Sequence, residues 1–221
     1  MKTPLAQAQP SPAREEGKAA TARIVLPPHA PGMRIGLFGG TFDPPHEAHL
    51  GACLIAMKRL DLDRVWWLVT PGNPLKDTRG LAPLAGRIIA TKALAHHPRI
   101  DITDLEAQIG TPYTYKTIAY LRRHCPGVRF VWIMGADNLK NFHRWKNWRE
   151  IAALVPIAVI DRGGIGFAAM GGPAGQALAR VRVPESDAAS LATRQAPAFV
   201  FLHGLKMPLS STALREGTRN A

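Results

Sequence analysis

Short apolar runs alternate with amphipathic stretches along most of this chain. The runs at 33–38, 64–70, 100–103, 128–134, 156–160 and 198–202 are rich in β-branched and aromatic residues and predict strands. Helical spacing of apolar positions predicts helices over 46–59, 83–96, 114–124, 147–154 and 210–216. The strand runs are continuous rather than alternating, as in Val65-Trp66-Trp67-Leu68-Val69 and Phe130-Val131-Trp132-Ile133-Met134. Continuous runs fit strands covered on both faces, so the alternation predicts a single α/β domain around a doubly wound parallel sheet. Residues 163–197 are rich in Gly, Ala and Pro and predict a long connection with one short helix near 174–180. Residues 1–32 show no periodicity and predict a disordered tail, leaving 33–221 as the domain.

Composition narrows the partners. With 221 residues the chain can bury a substantial core, and no apolar run approaches the roughly 20 residues a membrane span needs. The first residues lack the apolar centre of a signal peptide. Formal net charge is +12, of which residues 1–32 hold +2, so the body carries +10. Such a balance favours polyanionic ligands. The basic residues are dispersed and no RNA-binding motif is present, which points to small phosphorylated ligands rather than nucleic acid, and to no membrane partner. The two cysteines, Cys53 and Cys125, have no motif partners and read as reduced and structural, in keeping with a cytoplasmic protein.

The densest chemical signal is Ile-Gly-Leu-Phe-Gly-Gly-Thr-Phe-Asp-Pro-Pro-His-Glu-Ala-His-Leu at 35–50. An apolar strand runs into Gly39, Gly40, Thr41 and Phe42. A Pro-rich turn follows, and then His46 and His49 open a helix. Glycines admit close approach of backbone N–H groups, and a helix N-terminus adds unpaired N–H groups with partial positive charge. Two imidazoles there add donors that strengthen as charge builds on a reacting phosphate. The pattern is neither a P-loop nor the dinucleotide fingerprint. No nearby cysteine or further histidine supplies a third ligand that would make them a metal pair.

Four further segments bear on the same chemistry. In Leu209-Ser210-Ser211-Thr212-Ala213-Leu214-Arg215, hydroxyl residues open the predicted C-terminal helix and Arg215 falls one turn after Ser211 on the same face. Backbone N–H groups, Ser211, Thr212 and the Arg215 guanidinium can then converge on phosphate oxygens. Pro71-Gly72-Asn73-Pro74-Leu75-Lys76 follows the second strand and ends in a flexible cation, either a phosphate contact or a solvated loop lysine. Thr111-Pro112-Tyr113-Thr114 begins a helix whose Tyr113 and Thr114 N–H groups can receive an anion. After the fourth strand, Asp137 in Gly135-Ala136-Asp137 can cap the next helix or hold a nucleotide hydroxyl. Trp145 and Trp148, set among cations, can lie over a flat ligand or anchor the core.

The segment from Gly40 to His49 resembles the Gly-x-Phe-Asp-Pro-x-His-x-Gly-His motif of the nucleotidylyltransferase superfamily, with Ala48 where that family usually has Gly. Leu209 to Arg215 resembles its Ile-Ser-Ser-Thr-x-x-Arg motif. The Tyr113-Thr114 helix start, the Gly135-x-Asp137 turn and Trp145 match the bacterial nicotinate-nucleotide adenylyltransferase branch. The resemblance runs from about residue 33 to the C-terminus and is weakest through 163–197. It implies a Rossmann-like fold and transfer of the adenylyl group of ATP to nicotinate mononucleotide, giving nicotinate adenine dinucleotide and pyrophosphate. It implies catalytic roles for His46, His49 and Arg215. ATP would be held by Gly39, Gly40, Thr41, Phe42, His46, His49, Gly135, Asp137, Ser211, Thr212 and Arg215. The mononucleotide would be held by Lys76, Tyr113, Thr114 and Trp145. Mg²⁺ is expected to arrive on the ATP phosphates, since no carboxylate cage is visible in the sequence. The competing readings are an adenylyltransferase for nicotinamide mononucleotide or phosphopantetheine, and a non-catalytic nucleotide-binding protein on the same fold.

Overall fold

The computed structural model describes residues 23–75, 78–161 and 166–204. Its strands are β1 (Arg34–Gly40), β2 (Arg64–Val69), β3 (Ile100–Thr103), β4 (Arg129–Gly135), β5 (Ile157–Ile160), β6 (Arg182–Val183) and β7 (Phe199–Leu202). They form one sheet in the order β3-β2-β1-β4-β5-β7-β6, with every neighbouring pair parallel. The helices are α1 (Glu47–Arg59), α2 (Leu84–Leu94), α3 (Leu105–Gln108), α4 (Thr114–His124), α5 (Ala136–Phe142), α6 (Trp148–Leu154), α7 (Gly166–Met170) and α8 (Pro173–Leu178). The chain winds outward from β1 to β3, then crosses back to place β4 on the other side of β1. That reversal opens a crevice at the carboxyl ends of β1 and β4.

Successive strand residues point to opposite faces, and both faces are covered. On one side Trp66, Leu68, Trp132 and Met134 are buried with Leu105 of α3, Ile118 and Leu121 of α4, and Leu139 and Phe142 of α5. On the other, Trp67, Val69, Val131 and Ile133 are buried with Ala52, Cys53, Ala56 and Met57 of α1. The α1 stripe recurs at helical spacing and is mostly small, with Ala52, Cys53 and Ala56 ahead of Met57, which lets the helix lie close on the sheet. Glu47 in its first turn and Lys58 and Arg59 in its last match the helix dipole. Both cysteines are free and buried. Burial drives the Cys53 thiol up to about 12, so it is inert as a thiolate and accepts the Trp67 indole N–H at 3.1 Å.

Three expectations change. The 163–197 stretch is more than a connection with one helix: besides the expected short helix near 174–180, which is α8, it holds α7, the short strand β6 beside β7, and 3-10 turns at Ala179–Val181 and Glu185–Thr193. Small residues hid it, because they give no strong periodicity yet pack closely; Ala169, Ala174, Ala188 and Ala192 are all buried. The seven-residue helix α5 was unforeseen because it follows β4 with no intervening loop. The tail boundary also moves. Within the expected tail, Ile24 and Leu26 pack on the core, the Val25 N–H donates to Gln108 Oε1 at 2.8 Å, and the Gly32 N–H donates to the Gly127 carbonyl at 2.8 Å. The remaining tail residues, 1–22, and the predicted helix 210–216 lie outside the described residues.

Removing residues 1–31 is therefore expected to cost stability. Two half-buried aliphatic side chains contribute about 2 kcal/mol together. In a domain of this size that lowers Tm by roughly 4–8 °C. A thermal melt unchanged within about a degree would show that the segment contributes nothing to the core.

Candidate active site

β1 ends in Gly39 and Gly40, where a side chain would crowd aromatic rings. A Cβ on Gly39 would come within 2.6 Å of the Trp132 ring, and one on Gly40 within 3.1 Å of the Phe42 ring. Phe42 then takes a left-handed backbone, φ 45°, uncommon for an aromatic residue. Packing holds it there. Its ring is buried, stacked on Trp67 at 4.8 Å and set edge-on to His49 at 5.1 Å. The turn therefore delivers the chain to His46 in a defined direction.

His46 is the N-cap of α1, with extended backbone, and is 6% exposed. Its ring lies 3.7 Å from that of His49. The His46 N–H donates to His49 Nδ1 at 3.3 Å. An Nδ1 that accepts leaves the neutral ring's proton on Nε2, so His49 offers an N–H donor from a ring that lines the cleft.

The cleft occupies about 410 Å³ at the carboxyl ends of β1, β2 and β4. One wall is the β1 turn, with Gly39, Gly40, Thr41, Phe42, His46 and His49. Facing it are Pro112, Tyr113 and Thr114 at the head of α4, Asp137 and Asn138 on α5, and Arg144, Trp145 and Lys146 beyond it. The loop after β2 closes a third side with Gly72, Asn73, Pro74 and Leu75. Residues more than 100 positions apart in sequence thus share one concave site on the sheet's switch point.

Details of the facing wall differ from expectation. The Tyr113 N–H is already committed, donating to Thr111 Oγ1 at 3.2 Å, and the Lys116 N–H donates to the Tyr113 carbonyl at 2.9 Å. The first-turn N–H groups that no helix carbonyl reaches are therefore those of Thr114 and Tyr115. Positive charge stands on the same wall: Lys146 Nζ lies 4.7 Å from the centre of the Tyr113 ring. Trp145 lines the cleft but is braced edge-on by Trp132 at 6.1 Å and Phe142 at 5.4 Å, so its plane is set by the core. Asp137 sits in the first turn of α5, whose N-cap is Gly135, and Asp137 faces the cleft. Gly135 itself does not line it. Trp148 is the core anchor of the pair, 9% exposed against Phe142. Lys76, Ser211, Thr212 and Arg215 lie outside the described residues.

Comparison with known proteins identifies relatives of this chain. A family model described as Cytidylyltransferase-like matches residues 37–217. A Bradyrhizobium sp. (strain ORS 278) protein named "Probable nicotinate-nucleotide adenylyltransferase" is 63% identical over 83% of this chain and 95% of its own length. A Rhizobium meliloti protein of the same name is 52% identical over 83% of this chain and 97% of its own.

The chain belongs to the nicotinate-nucleotide adenylyltransferase family.

The fold is also that of Plasmodium falciparum nicotinic acid mononucleotide adenylyltransferase solved with APC, at TM-score 0.61 and 16% identity over 83% of each chain. The same enzyme solved with NaAD gives TM-score 0.59 at 17% identity over 83% of each chain. Ala48 stands where the resembled motif has glycine. Here its methyl is fully buried and does not face the cleft, so the cavity is not narrowed by it.

Two side chains at the cleft of this family member escaped the sequence reading. Glu106 on α3 is 4% exposed yet borders the cavity, and burial pushes its carboxyl up to about 7 against the opposing Thr70 and Thr117 hydroxyls. Arg87 on α2 is 3% exposed beneath two of the cleft loops. Neither belongs to a motif. A single charged residue on an otherwise amphipathic helix reads as solvated, and only the packing of α2 and α3 against the strand ends buries these two.

Proposed function

We propose that the protein transfers the adenylyl group of ATP to nicotinate mononucleotide, forming nicotinate adenine dinucleotide and pyrophosphate, a step in making NAD. The observation that carries this reading is one cleft with two differently equipped walls. The glycine turn and paired histidines of β1–α1 suit a polyphosphate. The α4 N-terminus, Lys146 and Trp145 suit a flat ring bearing an anion.

The chemistry follows from those groups. The mononucleotide phosphate is a monoester, largely dianionic near neutral pH, and attacks the α-phosphorus of ATP without a general base. A P–O bond forms between the mononucleotide oxygen and the α-phosphorus. The bond from the α-phosphorus to the bridging oxygen breaks, and pyrophosphate leaves with the electron pair. The protein's contribution is positioning and charge stabilisation. His49 Nε2–H, His46 and Arg215 are the proposed donors, with Ser211 and Thr212 cradling the phosphates and Lys76 near the mononucleotide phosphate. Asp137 holds a nucleotide hydroxyl. ATP enters with Mg²⁺ carried on its phosphates. Among the described residues no helix is long and apolar enough to cross a membrane. A cytoplasmic setting fits the buried free thiols.

Nicotinate mononucleotide should be preferred over the nicotinamide form. The two differ by a carboxylate against a neutral amide. The Thr114 and Tyr115 N–H groups at the α4 N-terminus, with Lys146 close by, favour the anion. We expect at least about tenfold in kcat/KM, equivalent to ~1.4 kcal/mol. Trp145→Ala should weaken both substrates while leaving the sign of the preference. Pyrophosphate release measured with ATP and each mononucleotide tests this; equal kcat/KM values would reject the nicotinate assignment.

A further inference from the structure

Beyond Gly40 and Val69 the pairing of β1 with β2 ends, and the two chains diverge into the cleft loops. The last link between them is the Thr70 N–H donating to the Gly40 carbonyl at 3.0 Å. One residue further on, the carbonyls of Thr41 and Thr70 have no strand partner. Both are met by one side chain from α2. Arg87 Nη1 donates to the Thr41 carbonyl at 2.7 Å and to the Thr70 carbonyl at 2.8 Å. Its Nε donates to the Ala82 carbonyl at 2.8 Å, and its Nη2 reaches the Pro71 carbonyl at 3.4 Å. The brace is doubled at Ala82, whose N–H donates to Asp43 Oδ2 at 3.4 Å.

We propose that Arg87 is a positioning residue for the reaction: its buried guanidinium replaces the missing strand pairing and locks the Thr41 turn to the Thr70–Pro71 loop. The substrates' meeting geometry is then set by the separation of those loops. The inference rests on the adenylyl-transfer reading for its kinetic consequence, but the brace itself does not.

The chemistry of the position supports a dedicated role. A buried cation is costly, and a site needing only core stability would be filled by an apolar side chain. Four backbone carbonyls converging from three segments require a rigid, planar, multi-donor head, which Arg has and Lys lacks. Neither wall of the cleft is touched by Arg87 on its substrate face, so it acts through the loops. When the loops drift apart, each substrate still meets its own wall, but attack in line on the α-phosphorus is lost. A displacement of about 1 Å is enough to cost roughly 100-fold in turnover.

The test uses the full chain and its Arg87→Lys and Arg87→Met variants. The expected result is a kcat about 100-fold lower in Arg87→Lys, with KM for ATP and for nicotinate mononucleotide each within about threefold of the parent. Hydrogen exchange should speed up together in peptides covering 39–45 and 70–75, while β4 and β5 stay protected, in both variants. A kcat within twofold of the parent in folded Arg87→Lys would overturn the proposal. So would exchange that rises uniformly across the sheet, the mark of general destabilisation. If the parent itself releases no pyrophosphate from ATP and nicotinate mononucleotide, the functional reading fails. The paired exchange of the two loops then still decides whether Arg87 braces them.

Discussion

Replacing His49 with Ala should lower kcat by roughly two to three orders of magnitude, the usual loss when one charge-stabilising donor is removed from a reacting centre. The reason lies in how the ring is held. His49 accepts the His46 N–H at 3.3 Å, which leaves Nε2 as donor, and Phe42 lies edge-on at 5.1 Å, which limits where that donor can point. A donor aimed in advance costs no reorganisation as charge develops on the α-phosphate. KM should change little, because the ring strengthens its bond only as the transition state forms. Stability should fall by only about 1 kcal/mol, the net worth of the lost N–H contact. Steady-state pyrophosphate release alongside a thermal melt makes the measurement. Near-parental kcat in a folded variant would remove His49 from the mechanism.

The second large effect concerns pH and is placed on Glu106. Its carboxyl is buried, and burial raises its pKa from 4.5 to about 7. The neighbouring hydroxyls do not reverse this. The Thr70 hydroxyl pulls the other way, favouring the carboxylate, but burial outweighs it. Thr117 Oγ1 donates weakly, at 3.3 Å. Between pH 4.5 and about 7 the folded protein therefore holds a proton that the unfolded chain has released. Stability falls as pH rises through that window and stays lower above it, by on the order of 3 kcal/mol. Glu106→Gln keeps the shape and removes the titration. Denaturant unfolding of both proteins at pH 5 and pH 8 should show the parent losing stability relative to the Gln variant by about this amount. Other titrating groups are common to both and cancel in the difference. Parallel pH profiles would mean that Glu106 ionises freely in the fold.

The class of fold was legible because apolar runs and helical spacing are local properties. The strands β1 to β5 and β7 fall within a residue or two of their predicted places, as do α1, α2, α4 and α6. The glycine turn and the two histidines were legible for a related reason. Chemistry that needs close backbone approach and a helix N-terminus must be written in consecutive residues, and the motif at 39–49 is. The same holds for Tyr113-Thr114 and Asp137, each placed just past a strand or at a helix start, where a parallel sheet puts its ligands. By itself, then, the sequence determined the strand–helix alternation, the glycine–histidine turn that lines the cleft and the family resemblance.

What it left open was decided by contacts between distant segments. The structured 163–197 region is made of small residues whose burial depends on neighbours elsewhere in the chain. The Tyr113 N–H is occupied because Thr111 turns its hydroxyl back, which leaves Thr114 and Tyr115 as the first-turn N–H groups that no helix carbonyl reaches. Trp145 and Trp148 look alike in sequence; Phe142 and Trp132 decide that one borders the cleft and the other anchors the core. Ile24 and Leu26 belong to the domain only because a hydrophobic surface is there to receive them. Glu106 and Arg87 carry ordinary charged-residue signals, and nothing local marks them as buried. A charge becomes informative when water is excluded from it, and that exclusion exists only after α2 and α3 have packed against the ends of the sheet.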